Sequence, residues 1–181
     1  MVEMNQQAKL SEHLASPSVA ALSHSSELNG LRLSPHFSLG ELTRSKSHPE
    51  VYNIPSRVHI ENLKRVCVWL EALRERYNLR YVLAGSEPII ITSGYRSAEL
   101  NRKVGGVATS NHLTGCAVDI RVAGKEQLIR YACILLDYAD ETKQDFDEIL
   151  LEHGANGVIW LHFAVRPPGQ QNRRKISFLK G

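Results

Sequence analysis

Cysteine is scarce in this chain: Cys67, Cys116 and Cys133 are the only three, and no two stand in a C-x-x-C spacing. An odd count without paired spacing argues against a disulfide scaffold and predicts folding in a reducing compartment. Long apolar runs are missing too. The longest are short stretches such as residues 131–136, far from the roughly 18–20 consecutive apolar residues of a membrane span. No charge sign dominates: 22 Lys and Arg against 19 Asp and Glu give a net charge of +3. That is too little for the dense basic stripe of an electrostatic nucleic-acid binder, so no nucleic-acid partner is expected. Internal repeats and low-complexity tracts are absent. The first residues lack a charged stretch followed by an apolar one, so no Sec-type signal is visible. Action outside the cytoplasm is then expected to need another route of delivery.

What is present suits a globular domain. The chain has 181 residues, 43% of them hydrophobic and 23% charged, enough for a core that needs no disulfide framework. Residues 1–35 are rich in Ser, Ala, Gln, Asn and His and read as a tail or arm, with a weak helix over 11–22. Residues 36–181 form the expected domain, and a monomer is the expected state.

Within it, Ser38 followed three residues later by Glu41 is a capping-box signature for a short helix. Residues 56–77 carry Ile60, Leu63, Val66, Cys67, Leu70 and Leu73 mostly at three- and four-residue steps, which predicts one long amphipathic helix. Residues 125–138 repeat the pattern, and residues 98–104 form a shorter helix closed by Gly105-Gly106. Strands are expected over 88–93, 117–122, 148–152 and 160–165, the last two joined as an antiparallel hairpin through Gly154-Ala155-Asn156-Gly157. Helices and strands are segregated rather than alternating, so the fold class is α+β, a small antiparallel sheet flanked by helices.

The chemistry concentrates in Ser110-Asn111-His112-Leu113-Thr114-Gly115-Cys116-Ala117-Val118-Asp119. His112 falls in a loop and Asp119 on the strand after it, with Gly115 free to redirect the chain between them. His162 lies on a later strand, sharing a face with Ala164 while Leu161 and Phe163 share the other. Two neutral imidazoles and one carboxylate are a zinc set that leaves the fourth tetrahedral position for water. Spacing alone also admits a packed or surface histidine and a chance His–Asp pair.

Three segments, Ile91-Thr92-Ser93-Gly94-Tyr95-Arg96-Ser97, Ser110-x-His112-x-x-Gly115-x-Ala117-x-Asp119 and Trp160-Leu161-His162, resemble the zinc peptidase M15 family. That family includes D-alanyl-D-alanine carboxypeptidases and phage peptidoglycan endopeptidases. The compact M15A-like branch also shows the Phe37-Ser38-Leu39-Gly40-Glu41-Leu42 opening and the Asn172-Arg173-Arg174 close. The likeness covers roughly residues 36–178 and implies a single domain of the D-Ala-D-Ala carboxypeptidase type. It further implies Zn2+ held by His112, Asp119 and His162, with a zinc-activated water attacking a peptide carbonyl of a peptidoglycan stem peptide. Arg96 is implied to bind the substrate carbonyl or the developing oxyanion; read by itself, it is a surface arginine paired with Glu99.

The resemblance breaks at the general base. Better-known members carry an acid three positions before the last zinc histidine, where this chain has Ile159, and the position two before is Trp160. Glu152, near the end of the strand before the turn, is the substitute, with Glu148 on the same strand face as a weaker candidate; otherwise both are solvated edge-strand carboxylates. Ser110 is read as bonding the zinc-site loop or a substrate group, with a simple turn role as an equal alternative. Tyr95 is a candidate substrate contact with a core role as the default, and Trp160 is read the same way. His153 is expected on the opposite face and Cys116 as a small buried residue. The run Arg173-Arg174-Lys175 reads as a solvated terminal charge cluster, or as a contact to an anionic wall polymer.

The leading reading is a zinc metallopeptidase cutting peptidoglycan stem peptides, a phage or prophage endolysin or a virion-associated wall hydrolase. It would be held in the host cytoplasm before release or carried in a virion. The alternative is a catalytically inactive zinc-containing wall-binding module, in which Ile159 marks a lost base. A basic nucleic-acid adaptor of a phage particle is a third reading.

Overall fold

Two helices and one sheet face position everything that follows. In the computed structural model residues 29–180 are described, so the expected helix over 11–22 lies outside the described residues. Helix α1 (Leu39–Thr43) starts on the Ser38 capping box read from the sequence, Ser38 Oγ accepting from Glu41 N and the Glu41 carboxylate accepting from Ser38 N. Ahead of it, Leu39 N donates to Leu31 O and Ser34 Oγ to Glu71. Residues 31–35 are therefore tied to the rest of the fold.

Helix α2 (Arg57–Tyr81) runs four residues past its expected end and buries Leu63, Val66, Cys67, Trp69, Leu70, Leu73 and Tyr77 on one side. Ser56 caps it, and the His59 side chain returns to the cap backbone. The sequence continues as Asn78-Leu79-Arg80-Tyr81, and the side chain of Asn78 holds the chain beyond it by bonding Glu87 N and O. Helix α3 (Ala98–Lys103) begins on a Ser97 cap. Helix α4 (Lys125–Thr142) also exceeds its expected end, stopping at Lys143 in the left-handed region with φ 54°. The two long helices meet through aromatic edges, Tyr77 on Tyr131 at 4.9 Å and Trp69 on Tyr138 at 4.9 Å.

The strands are β1 (Ile91–Ser93), β2 (Ala117–Arg121), β3 (Glu148–His153), β4 (Ile159–Ala164) and β5 (Lys175–Lys180), in the order β1-β2-β4-β3-β5. The expected hairpin is β3–β4. The fold class is α+β as read, with one correction: β5 pairs parallel with β3, so the sheet is not wholly antiparallel. The charged composition of 173–175 concealed this strand, whose backbone is nonetheless paired from Glu148↔Lys175 to His153↔Lys180.

Period-two alternation divides the sheet cleanly. Val118, Ile120, Ile149, Leu151, Leu161 and Phe163 are buried in the core, on the face that meets the helices. The other face carries Asp119 on β2, Trp160 and His162 on β4, and Glu148, Leu150 and Glu152 on β3. Cross-strand register puts Asp119, His162 and Leu150 in one row. Glu148 and Glu152 then stand diagonally to either side of His162, a separation long side chains can span.

Candidate metal centre

A tight turn delivers His112 to this face. Ser110 caps the short 3-10 helix Asn111–Thr114, its Oγ accepting from His112 N. Gly115 then reverses the chain at φ 70°, where a Cβ would fall 2.7 Å from the His59 carbonyl oxygen. Asn62 of α2 donates to Thr114 O at 2.9 Å and fixes the turn from behind. Ser110 is thus engaged by the turn it caps.

The tautomer of His112 follows from its partner. Nδ1 is 2.6 Å from the carbonyl oxygen of Gly94, and a carbonyl can only accept, so Nδ1 carries the proton and Nε2 keeps its lone pair. Gly94 reaches this position because it lies against α1: Tyr95 N donates to Leu42 O, and a Cβ on Gly94 would sit 2.2 Å from that same oxygen. A bulge in β1, with Ile91 opposite Ile120 but Ser93 opposite Asp119, turns Ser93 and Gly94 toward the site.

Three donor atoms converge here. His112 Nε2 is 3.3 Å from Asp119 Oδ1 and 3.3 Å from His162 Nδ1, and the last two are 2.9 Å apart. Ligand atoms sharing one tetrahedral zinc at about 2.0–2.1 Å stand about 3.3 Å from one another, so this set fits such an ion with little adjustment. All three side chains are buried. Among the described residues they are the group able to hold a metal.

Burial and neighbouring charges set the protonation of each donor. Burial pushes the His112 pKa down and keeps the ring neutral, the ligating form, although Asp119 pulls the other way. Burial acts to raise the Asp119 pKa, but His112 and His162 beside it hold its carboxyl far below the usual range. Arg96 works in the same sense, donating Nη2 to Asp119 Oδ2 at 2.6 Å while Nε donates to Ser93 Oγ. For His162, burial is outweighed by Asp119 and Glu148, and its pKa rises. Arg96 therefore pairs with Asp119 and not with Glu99, which pairs with Lys103 instead.

The two carboxylates of β3 separate in role. Glu152 pairs with Trp160, and its pKa is raised by burial while the charges of His162, Asp119 and Arg96 all act on it. Glu148 stands at the other side of the His162 ring, its Oε2 3.6 Å from Nε2. Since Nδ1 is the atom aimed at the metal point, Glu148 is remote from it across the ring. Its carboxyl is held down to about 2, first by His162 and then, against burial, by Arg173 and Lys175. Ile159 pairs with His153, so its side chain lies on the opposite face from His162 and packs against the core.

Tyr95 belongs to the core cluster and stacks on His59 with ring centroids 4.7 Å apart, while also lining a cleft with Arg44, Ser93 and Arg96. His153 is exposed and Cys116 buried, both as expected; Trp160 is half-buried. The basic run is exposed, as its solvated reading expects, and it is also tied down: Arg173 bonds Asp147 and Glu148, Arg174 bonds Asp140 and Asp145, and Lys175 bonds Glu148. Sequence reading passed over Asp147, fully buried and bonded by Asn111, Arg166 and Arg173. The acids of Asp145-Phe146-Asp147-Glu148 facing a later basic run were the signal for it.

Comparison with known proteins bears on the family of the chain. The family described as Peptidase M15 matches residues 35–140, more than half of the chain and the part that holds Arg96, His112 and Asp119. No curated protein matches. Among solved structures, the L-Ala D-Glu endopeptidase ChiX of Serratia marcescens is 25% identical with a TM-score of 0.35, over 62% of this chain and 89% of that one. By the extent of the family match, this chain belongs to the peptidase M15 family.

Proposed function

We propose that the chain is a zinc-dependent peptidase of peptidoglycan stem peptides, with His112 Nε2, Asp119 Oδ1 and His162 Nδ1 as the metal ligands. The observation that carries this is the convergence of those three donor atoms within 3.3 Å in a chain of this family. A zinc ion at such a site polarises the scissile carbonyl and acidifies water near neutral pH. The protein's own groups do the rest. Glu152, on the same sheet face as His162 and raised in pKa by burial, takes the proton of the attacking water and returns it to the leaving amine. Arg96, anchored through Ser93 and Asp119, turns its remaining Nη1 to the carbonyl oxygen and stabilises the charge developing there. The Gly94 carbonyl holds the His112 ring, so no side-chain motion is needed to assemble the ligand set.

The reading extends to a wall hydrolase of phage or prophage origin, reaching peptidoglycan after release from the host cytoplasm or from a virion. Among the described residues no helix is long and apolar enough to cross a membrane. Whether the enzyme trims a terminal D-Ala or cuts within the stem is decided by digestion. The inactive wall-binding alternative draws on Ile159, yet an acid there would point into the core, and Glu152 occupies the site face instead.

Muropeptide mass spectrometry of purified sacculi tests both. Wild type should release fragments defining one bond, release should stop with chelator and with His112→Ala, and Glu152→Gln should slow it about 10²–10⁴-fold with zinc retained. Zinc-loaded protein that releases nothing would establish the binding module.

A further inference from the structure

The Glu148 carboxylate is half-buried among donors in an arrangement that general-base chemistry does not use. It accepts from Asn111 Nδ2 at 3.2 Å, Arg173 Nη2 at 2.9 Å and Lys175 Nζ at 3.3 Å, and its side chain is 13% exposed. Asn111 immediately precedes the ligand His112. On its remaining side Glu148 Oε2 faces His162 Nε2, a fully buried ring nitrogen with no hydrogen-bond partner. A buried N–H is rarely left without an acceptor. The 3.6 Å gap needs to close by only about half an ångström to reach the ordinary N–H···O range.

We infer that Glu148 is a positioning residue for the metal centre: it accepts the Nε2 proton of His162, presents Nδ1 as the ligand atom, and clamps the β4 histidine to the turn that carries His112. The inference rests on the metal site proposed above. Each histidine then has its own outer partner, a backbone carbonyl for His112 and a carboxylate for His162. An imidazole can ligate through either nitrogen, and the group bonded to the other one decides which. Without Glu148 the His162 ring loses the contact that distinguishes its two edges. Arg173 and Lys175 of the C-terminal segment neutralise the half-buried carboxylate and hold it in place, which gives β5 a part in the metal centre that its distance along the chain conceals.

The test uses the full chain and zinc alone. Affinity is measured by competition with a chromophoric chelator for wild type, Glu148→Ala and Glu148→Gln, and the histidine nitrogens are followed by 15N NMR in the loaded proteins. Glu148→Ala should bind zinc about 10–100-fold more weakly, with part of the His162 signal shifting to ligation through Nε2. Glu148→Gln, which keeps an acceptor oxygen, should recover most of the affinity. Its His162 Nε2–H proton should nonetheless move upfield, because a neutral amide replaces a carboxylate. That resonance needs only the conservative variant, so it decides the matter even if the alanine variant fails to fold. An unchanged Nε2–H resonance in Glu148→Gln overturns the inference, as does wild-type affinity with ligation through Nδ1 in Glu148→Ala. Wild type that takes up no zinc overturns instead the metal reading beneath it.

Discussion

Asp119 and His162 face each other directly across the β2–β4 ladder, and their Oδ1 and Nδ1 atoms are 2.9 Å apart. Two of three donor atoms are thus fixed by sheet register rather than by loop conformation. A one-residue slip would send both to the core face. The third, on His112, is aligned by the Gly94 carbonyl and a capped turn.

Gly94→Ala is the first consequence. The added Cβ would lie 2.2 Å from Leu42 O, so Gly94 must move, and its carbonyl with it. Zinc affinity should fall, and the metal-free fold should lose roughly 1–3 kcal/mol in denaturant titration, as overpacking typically costs. Unchanged affinity would mean that the His112–Gly94 bond does not set the ring.

Acid should release the tie between the C-terminal segment and the sheet. Burial alone would raise the Asp147 pKa, but hydrogen bonds from Arg173, Asn111 and Arg166 outweigh it and hold the value at about 2, against 3.8 ordinarily. With the folded pKa depressed, the stabilisation is complete above about pH 4 and is lost as pH falls from there to about 2. Its size is about 2 kcal/mol. The stability difference between wild type and Asp147→Asn should therefore shrink to near zero by pH 2.

Ile159→Glu should not create the missing acid. Ile159 packs on the core beside β3, so the new carboxylate is driven into apolar surroundings and the fold loses about 1–3 kcal/mol. Activity slowed by Glu152→Gln should stay slowed in the double variant. Rescue would show that β4 can present position 159 to the site.

Metal removal should lower thermal stability. A ligand bound only by the folded chain stabilises it by about 2.7 kcal/mol at one hundred times its dissociation constant. The melting temperature should fall with chelator and return with added zinc. The His112→Ala protein should show neither change.

Much of this was legible before the fold was known. The alternation in Ala117-Val118-Asp119-Ile120 and Trp160-Leu161-His162-Phe163 placed Asp119 and His162 on one face and their apolar neighbours on the other, because a strand buried on one side writes its orientation into every second residue. The M15-like segments added His112 to the proposed ligand set. Strand β5 escaped because Lys175 and Lys180 bracket it and its residues are mostly exposed, so its pairing owes little to hydrophobic pattern. The helices reach Tyr81 and Thr142 because Tyr81 and Ala139 still pack on the core, while the polar residues around them, Asn78, Arg80, Asp140 and Glu141, hide that continuation in the sequence. The Gly94 carbonyl was invisible for a simpler reason: a backbone oxygen looks the same at every position in a sequence.

The most direct measurement is the zinc content, by elemental mass spectrometry, of wild type and of His112→Ala, Asp119→Asn and His162→Ala after dialysis against trace zinc. One zinc per chain in wild type and markedly less than one in each variant is the predicted result. Wild type without zinc, or variants that hold a full equivalent, would contradict the His112, Asp119 and His162 centre.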